Sequence, residues 1–222
     1  MRKNLLSILC IVLIICMGCT GCKKKNTSVD VAKPTLTAEQ VKKAKNVEIK
    51  ILRYEQDLFS MDKNNMAEGF KALYGKYPEN IIANGAWENT EMIQSMKGYL
   101  NDPVIQEIYK DTQVQFADLS GLKSQLKSAM SIYLTHFPND NVPDFCTLVS
   151  GINFEIPQVF GYENTIFICL DMYLGKDYKH YGQAGMPKYI AARCDKKYMA
   201  TDCFSKALVY RHLPDKTLVT LL

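Results

Sequence analysis

Apolar and polar positions alternate from Val47 to Ile51, the period of two that marks a half-buried strand. The chain then runs through Arg53-Tyr54-Glu55-Gln56-Asp57-Leu58-Phe59. After it, Ser60 or Asp62 can cap a helix that buries Met66, Phe70 and Leu73 on one face and stops near Gly75. Tyr77-Pro78 marks a turn, because the residue before a proline avoids the helical region. Thr90 is placed to cap a second helix over Met92, Ile93, Met96, Tyr99 and Leu100. Asp102-Pro103 opens a third with proline at its first position, burying Val104, Ile105 and Ile108. Asp118 begins the strongest pattern: Leu119, Leu122, Leu126, Met130, Tyr133 and Leu134 fall three and four apart, ending at Phe137-Pro138.

Beyond Pro143 the texture changes. Phe145–Val149 and Thr165–Leu170 are apolar and rich in β-branched residues, the content of buried strands. Gly161-Tyr162-Glu163-Asn164 supplies turn chemistry between them, so part of this block reads as a hairpin. Two more helices are predicted, over 188–194 and 198–210. The order of strand, helices, strands and helices predicts an α+β fold, a small and mostly antiparallel sheet packed with several helices. The chain finishes inside the apolar stretch Leu218-Val219-Thr220-Leu221-Leu222, where a polar, frayed tail is the usual ending. Either these residues form a last helical turn or the polypeptide is cut short, and the second reading is preferred.

The first 46 residues have a different character. A positive start, Met1-Arg2-Lys3-Asn4, precedes an apolar run from Leu5 to Met17. That run is shorter than the about 20 residues a membrane-spanning helix needs, and its layout is that of a secretory signal. Small residues next to cysteine, in Met17-Gly18-Cys19-Thr20-Gly21-Cys22, make it a lipoprotein signal peptide with a lipobox, residues 1–22. Cys22 is the favoured acylation site and Cys19 the alternative. Stable anchoring to a lipid bilayer then comes from the acyl chains, at about 0.8 kcal/mol per buried CH₂. Residues 23–46 read as a flexible basic tether, with Lys23, Lys24 and Lys25 set to touch anionic headgroups.

Charge follows the same division. The whole chain of 222 residues carries +4, which suggests an anionic partner. Yet residues 1–45 hold nine basic against two acidic side chains, +7, and the remaining 177 residues are left at −3. The basicity belongs to the address and tether, and a nucleic-acid partner is not indicated. The 47% hydrophobic share with thirteen Tyr and nine Phe is that of a chain with a packed core.

Familiar chemistry is sparse. The three histidines, His136, His180 and His212, form no His-Glu-x-x-His and no helical pair, so no metal set or cofactor is expected. Cys146, Cys169, Cys194 and Cys203 lie outside the leader. Export permits disulfides, with Cys146–Cys169 the favoured pair, but cysteines inside apolar strands read first as buried thiols. The stretch that draws attention is Leu170-Asp171-Met172-Tyr173-Leu174-Gly175-Lys176-Asp177-Tyr178-Lys179-His180-Tyr181. It leaves a buried strand directly into a segment dense in Asp, Tyr and Gly, where sites tend to be built. Asp171 and Asp177 are candidates to hold a cation, Tyr173 and Tyr178 to line a pocket. The alternative is that Asp caps backbone amides while Tyr covers the edge of the core. No catalytic residue is assigned.

Ile51–Phe59, Tyr74-Gly75-Lys76-Tyr77-Pro78, Ile168–Gly175 and Gly185-Met186-Pro187-Lys188-Tyr189 together resemble the gliding-motility lipoprotein family GldB, over residues 47–222. The Leu-Asp-x-Tyr-Leu-Gly segment is the most specific part. The resemblance implies a lipid-anchored protein of the cell envelope with its domain facing the periplasm. It would act as a binding or assembly component among other envelope or motility proteins. It also implies that the domain continues past Leu222, and a general likeness to zinc-peptidase-like folds. In such folds a metal-binding helix follows the strand; here residues 198–210 offer Asp202 and Cys203 without a His pair, the pattern of a non-catalytic derivative. The rival reading is an envelope hydrolase with a site near Asp171, Tyr173 and Asp177.

Overall fold

The computed structural model describes residues 35–212. The segments read from the sequence as signal peptide and lipobox, with Cys19 and Cys22, the start of the expected tether and the apolar stretch Leu218–Leu222 lie outside them. In chain order, helix α1 (Ala38–Lys45) leads to strand β1 (Ile51–Arg53), then α2 (Tyr54–Phe59) and α3 (Met66–Leu73). Three longer helices follow, α4 (Thr90–Asn101), α5 (Pro103–Gln115) and α6 (Ser120–His136). Strands β2 (Asp144–Leu148), β3 (Val159–Tyr162) and β4 (Thr165–Cys169) complete the sheet. After a 3₁₀ turn over Leu170–Tyr173 come short helices α7 (Lys179–Gln183), α8 (Lys188–Ala191) and α9 (Met199–Asp202). The run closes with a π-helical stretch over Cys203–Leu208 and a 3₁₀ turn over Val209–His212.

The fold class is α+β, as the element order predicts. The sheet is mixed, however, where a mostly antiparallel one was expected. Its order is β1-β2-β4-β3, with β1 beside β2 and β2 beside β4 both parallel. Only the β3–β4 hairpin is antiparallel. The reason lies in the connections. Each parallel pair is separated by an intervening crossover, α2–α6 in one case and the strand β3 in the other. Every position of β4, and all of β2 but Asp144, is buried. Strands covered on both faces, without alternation, are typical of parallel pairing.

Local signals account for most boundaries. Asp102 caps α5, its Oδ1 accepting from the amides of Val104 and Ile105 at 2.8 and 3.0 Å. Asn89, one residue before Thr90, caps α4 by accepting from the Met92 amide at 2.9 Å. The span read as a flexible tether through residue 46 needs correction at its end, because residues 38–45 are helical. Thr37 and Gln40 form a reciprocal capping box there. Gln40 reaches Asn139, and Lys43 bonds the Asp140 carbonyl, so α1 is fixed beside the end of α6. Its single buried side chain, Ala44, leaves too little apolar content for a pattern to show.

The core gathers Phe70, Leu100, Leu126, Met130, Phe145, Ile166 and Phe167 around the sheet. A charged pair is set within it at the end of β1. Arg53 donates to fully buried Glu55 at 2.5 Å, and the Thr147 hydroxyl donates to the other carboxylate oxygen at 2.7 Å. Cys146, Cys169, Cys194 and Cys203 are all free thiols and all buried. Cys146 and Cys169 do sit on neighbouring strands, but Cys146 faces Phe167 while Cys169 faces Leu148, so the pair is out of register for a disulfide.

Candidate functional site

The sheet's central strands deliver their carboxyl ends to one edge, the place where mixed and parallel sheets commonly present ligands. There β2 leads into Val149-Ser150-Gly151-Ile152, and β4 into Leu170–Tyr173, all four of whose residues are buried. Asp171 points inward and is fully buried. Its Oδ1 accepts from the Ser150 amide at 2.9 Å, and its Oδ2 accepts from the Ile152 amide at 2.7 Å and the Ser150 hydroxyl at 2.9 Å. These bonds hold an unusual turn, with Gly151 at φ +74° and Ile152 at φ +60°. A β-branched residue is rarely found there, so the carboxylate maintains a conformation the chain would otherwise leave. Glycine at 151 is also required by space, since a Cβ would come 2.9 Å from Ile105 Cδ1. Burial pushes the Asp171 carboxyl above its usual range, and the Ser150 and Ile152 donors only partly offset that.

Tyr173 lies equally deep. Its hydroxyl donates to Asp202 Oδ2 at 2.8 Å, and its carbonyl accepts from Gln115 Nε2 at 2.8 Å. Asp202, at the end of α9, also meets Lys206 at 3.3 Å and Arg193 at 3.5 Å. Burial first, and the Asp202 charge second, push the Tyr173 hydroxyl far up. Tyr181 adds a third tie, donating to the Asp171 carbonyl at 2.8 Å while accepting from the Leu174 amide at 3.0 Å.

The chain surfaces after this frame. Gly175, at φ +103°, gives its amide to the Cys194 carbonyl at 2.8 Å. Asp177 is 88% exposed, with only the Lys176 ammonium 4.0 Å away. Tyr178 is half-buried and donates to Asp111 Oδ2 on α5 at 2.9 Å. Close by, His180 Nε2 lies 2.9 Å from Glu107, which Lys179 also pairs. Those two partners hold the Glu107 carboxyl below its ordinary range. The loop forms a ridge between two hollows. One, of about 430 Å³, lies between Leu174-Gly175, Val114 and Lys196. The other, of about 500 Å³, lies between Lys176, Tyr178, Lys179 and Lys188.

The four residues singled out from the sequence therefore divide. Asp171 and Tyr173 lie inside, bonded to the fold, whereas Asp177 and Tyr178 stand at the surface. Sequence reasoning missed Asp111 and Glu107, which complete the arrangement, and gave His180 no role of its own. Glu107 and Asp111 lie one helical turn apart on α5, and nothing in the sequence ties that pair to Tyr178 and His180, which a distant part of the chain carries. Among the described residues, no group of three or more His, Cys, Asp or Glu side chains is placed to hold a metal ion. No helix of the described residues is long and apolar enough to cross a membrane.

Fold and site together define a mixed α+β domain in which a buried polar frame at the strand ends supports a surface loop. The chain belongs to the family of gliding motility protein GldB, whose family model matches residues 36–222. The match begins just before α1, which agrees with that helix being part of the domain. Neither a search of curated proteins nor one of solved structures returned a match.

Proposed function

We propose that this protein is a lipid-anchored component of the cell envelope, serving the gliding-motility machinery by binding or assembling other proteins. In this reading Cys22, or Cys19, carries the acyl chains, residues 23–37 form the tether, and the domain faces the periplasm. The observation that carries the binding role is the division within the Leu170–Tyr178 segment. Its buried carboxylate and phenol spend their polar atoms on the fold, while Asp177 and Tyr178 are presented on a loop braced from both sides. A rigid, shaped and mixed-charge surface suits protein recognition, since a loop already held in place loses little freedom on binding.

Membrane fractionation tests the anchor. A Cys19→Ala, Cys22→Ala double variant is expected in the soluble fraction, and its pelleting as before would sink the lipoprotein reading. For the surface, a photo-crosslinking residue at position 177, in cells, is expected to capture a discrete envelope protein. Capture that is equally strong from a distant site such as position 123 would count against the loop.

A further inference from the structure

The two hollows beside the 174–178 ridge differ in chemistry. The one next to Leu174-Gly175 mixes signs, with Asp111 and Asp195 set against Lys196. The other, of about 500 Å³, holds Lys176, Lys179 and Lys188 around one acid, Asp177. Three segments supply these lysines: the loop gives Lys176, the start of α7 Lys179 and the start of α8 Lys188. Met186 and Ala191, both buried, line the same hollow and give it an apolar floor. Next to Lys188 in the chain, Tyr189 is 75% exposed, and aromatic residues are enriched where proteins meet.

These cations are only partly compensated. Lys179 shares Glu107 with His180, and Asp177 lies 4.0 Å from Lys176. Lys188 is exposed and forms no ion pair among the described residues. Arg193, just beyond Ala192 of the lining, is held over the Tyr198 ring at 4.1 Å. From residue 176 to 197 the sequence carries six basic side chains against two acidic, +4, in a domain whose residues from 46 onward sum to −3. The positive excess thus sits where the loop and α8 form a concave surface, and it draws carboxylates from a distance.

The concave shape decides which anion fits. A flat layer of lipid headgroups meets only the rim of such a hollow, whereas a chain segment can enter and lay a side chain on its floor. Building on the binding role given above, we propose that this hollow receives an acidic segment of a partner protein. An apolar side chain of that segment covers Met186 and Ala191, and its carboxylates meet Lys176 and Lys188.

A fluorescent peptide of glutamates around a central leucine, titrated onto the full chain in detergent, tests this. The expected binding weakens as salt rises, because exposed charges are screened. Lys176→Glu with Lys188→Glu is expected to weaken it about tenfold. Lys42→Glu with Lys45→Glu, an exposed pair on α1, is expected to change it less than about twofold. Equal losses from the two pairs would overturn the proposal. So would no binding by a chain whose Trp87 fluorescence is native, or equal binding when serine replaces the leucine. Tighter binding of short-chain phosphatidylglycerol would assign the hollow to lipid headgroups and overturn it too. The crosslink at position 177 judges the binding role separately. Capture there that survives Lys176→Glu with Lys188→Glu would overturn the acidic chemistry and leave that role standing. No capture by a chain that binds the peptide would count against the role alone.

Discussion

Ser150 meets Asp171 twice, through its amide and through its hydroxyl, each at 2.9 Å. The pair joins the ends of β2 and β4 and keeps Gly151 and Ile152 at positive φ. Asp171→Ala would strand two amides and a hydroxyl in the interior, and each unsatisfied buried group costs about 1–3 kcal/mol. A loss of roughly 3 kcal/mol is expected in urea unfolding followed by the fluorescence of Trp87, the protein's one tryptophan. A change below about 1 kcal/mol would deny the clamp its structural importance.

The same carboxylate gives a pH signature. Burial raises its folded pKa above the ordinary 3.8, so the folded state holds the proton more tightly than the unfolded chain. Its contribution to stability is fully present below 3.8 and falls as pH rises through the folded value. Asp171→Asn cannot titrate. The stability advantage of the native chain over this variant is therefore expected to shrink on going from acid toward neutrality, and a gap constant with pH would contradict the assignment.

Asp57 behaves in the opposite sense. Burial pushes its carboxyl up, but hydrogen bonds from Lys76 and Tyr77 outweigh that and hold it below its usual range. The stability it gives is present above the unfolded value and is lost as pH falls through the folded one. In Tyr77→Phe the Asp57 carboxyl is expected to titrate closer to 3.8, as followed by carbon NMR of that side chain.

Cys146, Cys169, Cys194 and Cys203 are buried thiols, and burial pushes the Cys146 thiol up to about 12. None is expected to react with a disulfide reagent such as dithionitrobenzoate at neutral pH in the folded domain. All four should react once it is unfolded. Rapid labelling of any one in the native state would show a local opening that the packing does not provide.

Thr112 is fully buried on α5, and its hydroxyl has no hydrogen-bond partner. Thr112→Val replaces that hydroxyl with a methyl of similar shape. It is expected to be neutral or to stabilise by about 1 kcal/mol, since it removes an uncompensated polar group. Destabilisation by more than that, in the same urea assay, would mean that the hydroxyl has a partner.

The sequence makes the long helices legible because their evidence is local. Asp102-Pro103 begins α5 as it must, and the spacing from Leu122 to Leu134 defines α6. The hairpin is legible only in its turn: Glu163-Asn164 makes it, but Gly161 and Tyr162, expected in the turn, end β3, a strand the pattern did not single out. Strand direction is not local. The alternation at Val47–Ile51 correctly buries Val47 and Ile49, but the ladder with β2 engages residues 51–53, and nothing in the pattern tells a parallel from an antiparallel neighbour. The uniform burial of Thr165–Cys169 was the available hint. The candidate site was half legible for a similar reason. Spacing located the segment, but only the path of the chain through the Leu170–Tyr173 turn decides that Asp171 faces in and Asp177 faces out.

The parallel pairing of β1 with β2 sets the order in which the domain can form. Ile51 has no strand beside it until Phe145 is available, about 90 residues later, and long-range pairings of this kind are slow to close. However the chain emerges, β1 waits while α2–α6 follow it. The segment around Ile51 and Leu52 stays unpaired during that interval, and a chain halted before residue 144 would carry an apolar strand with nowhere to dock.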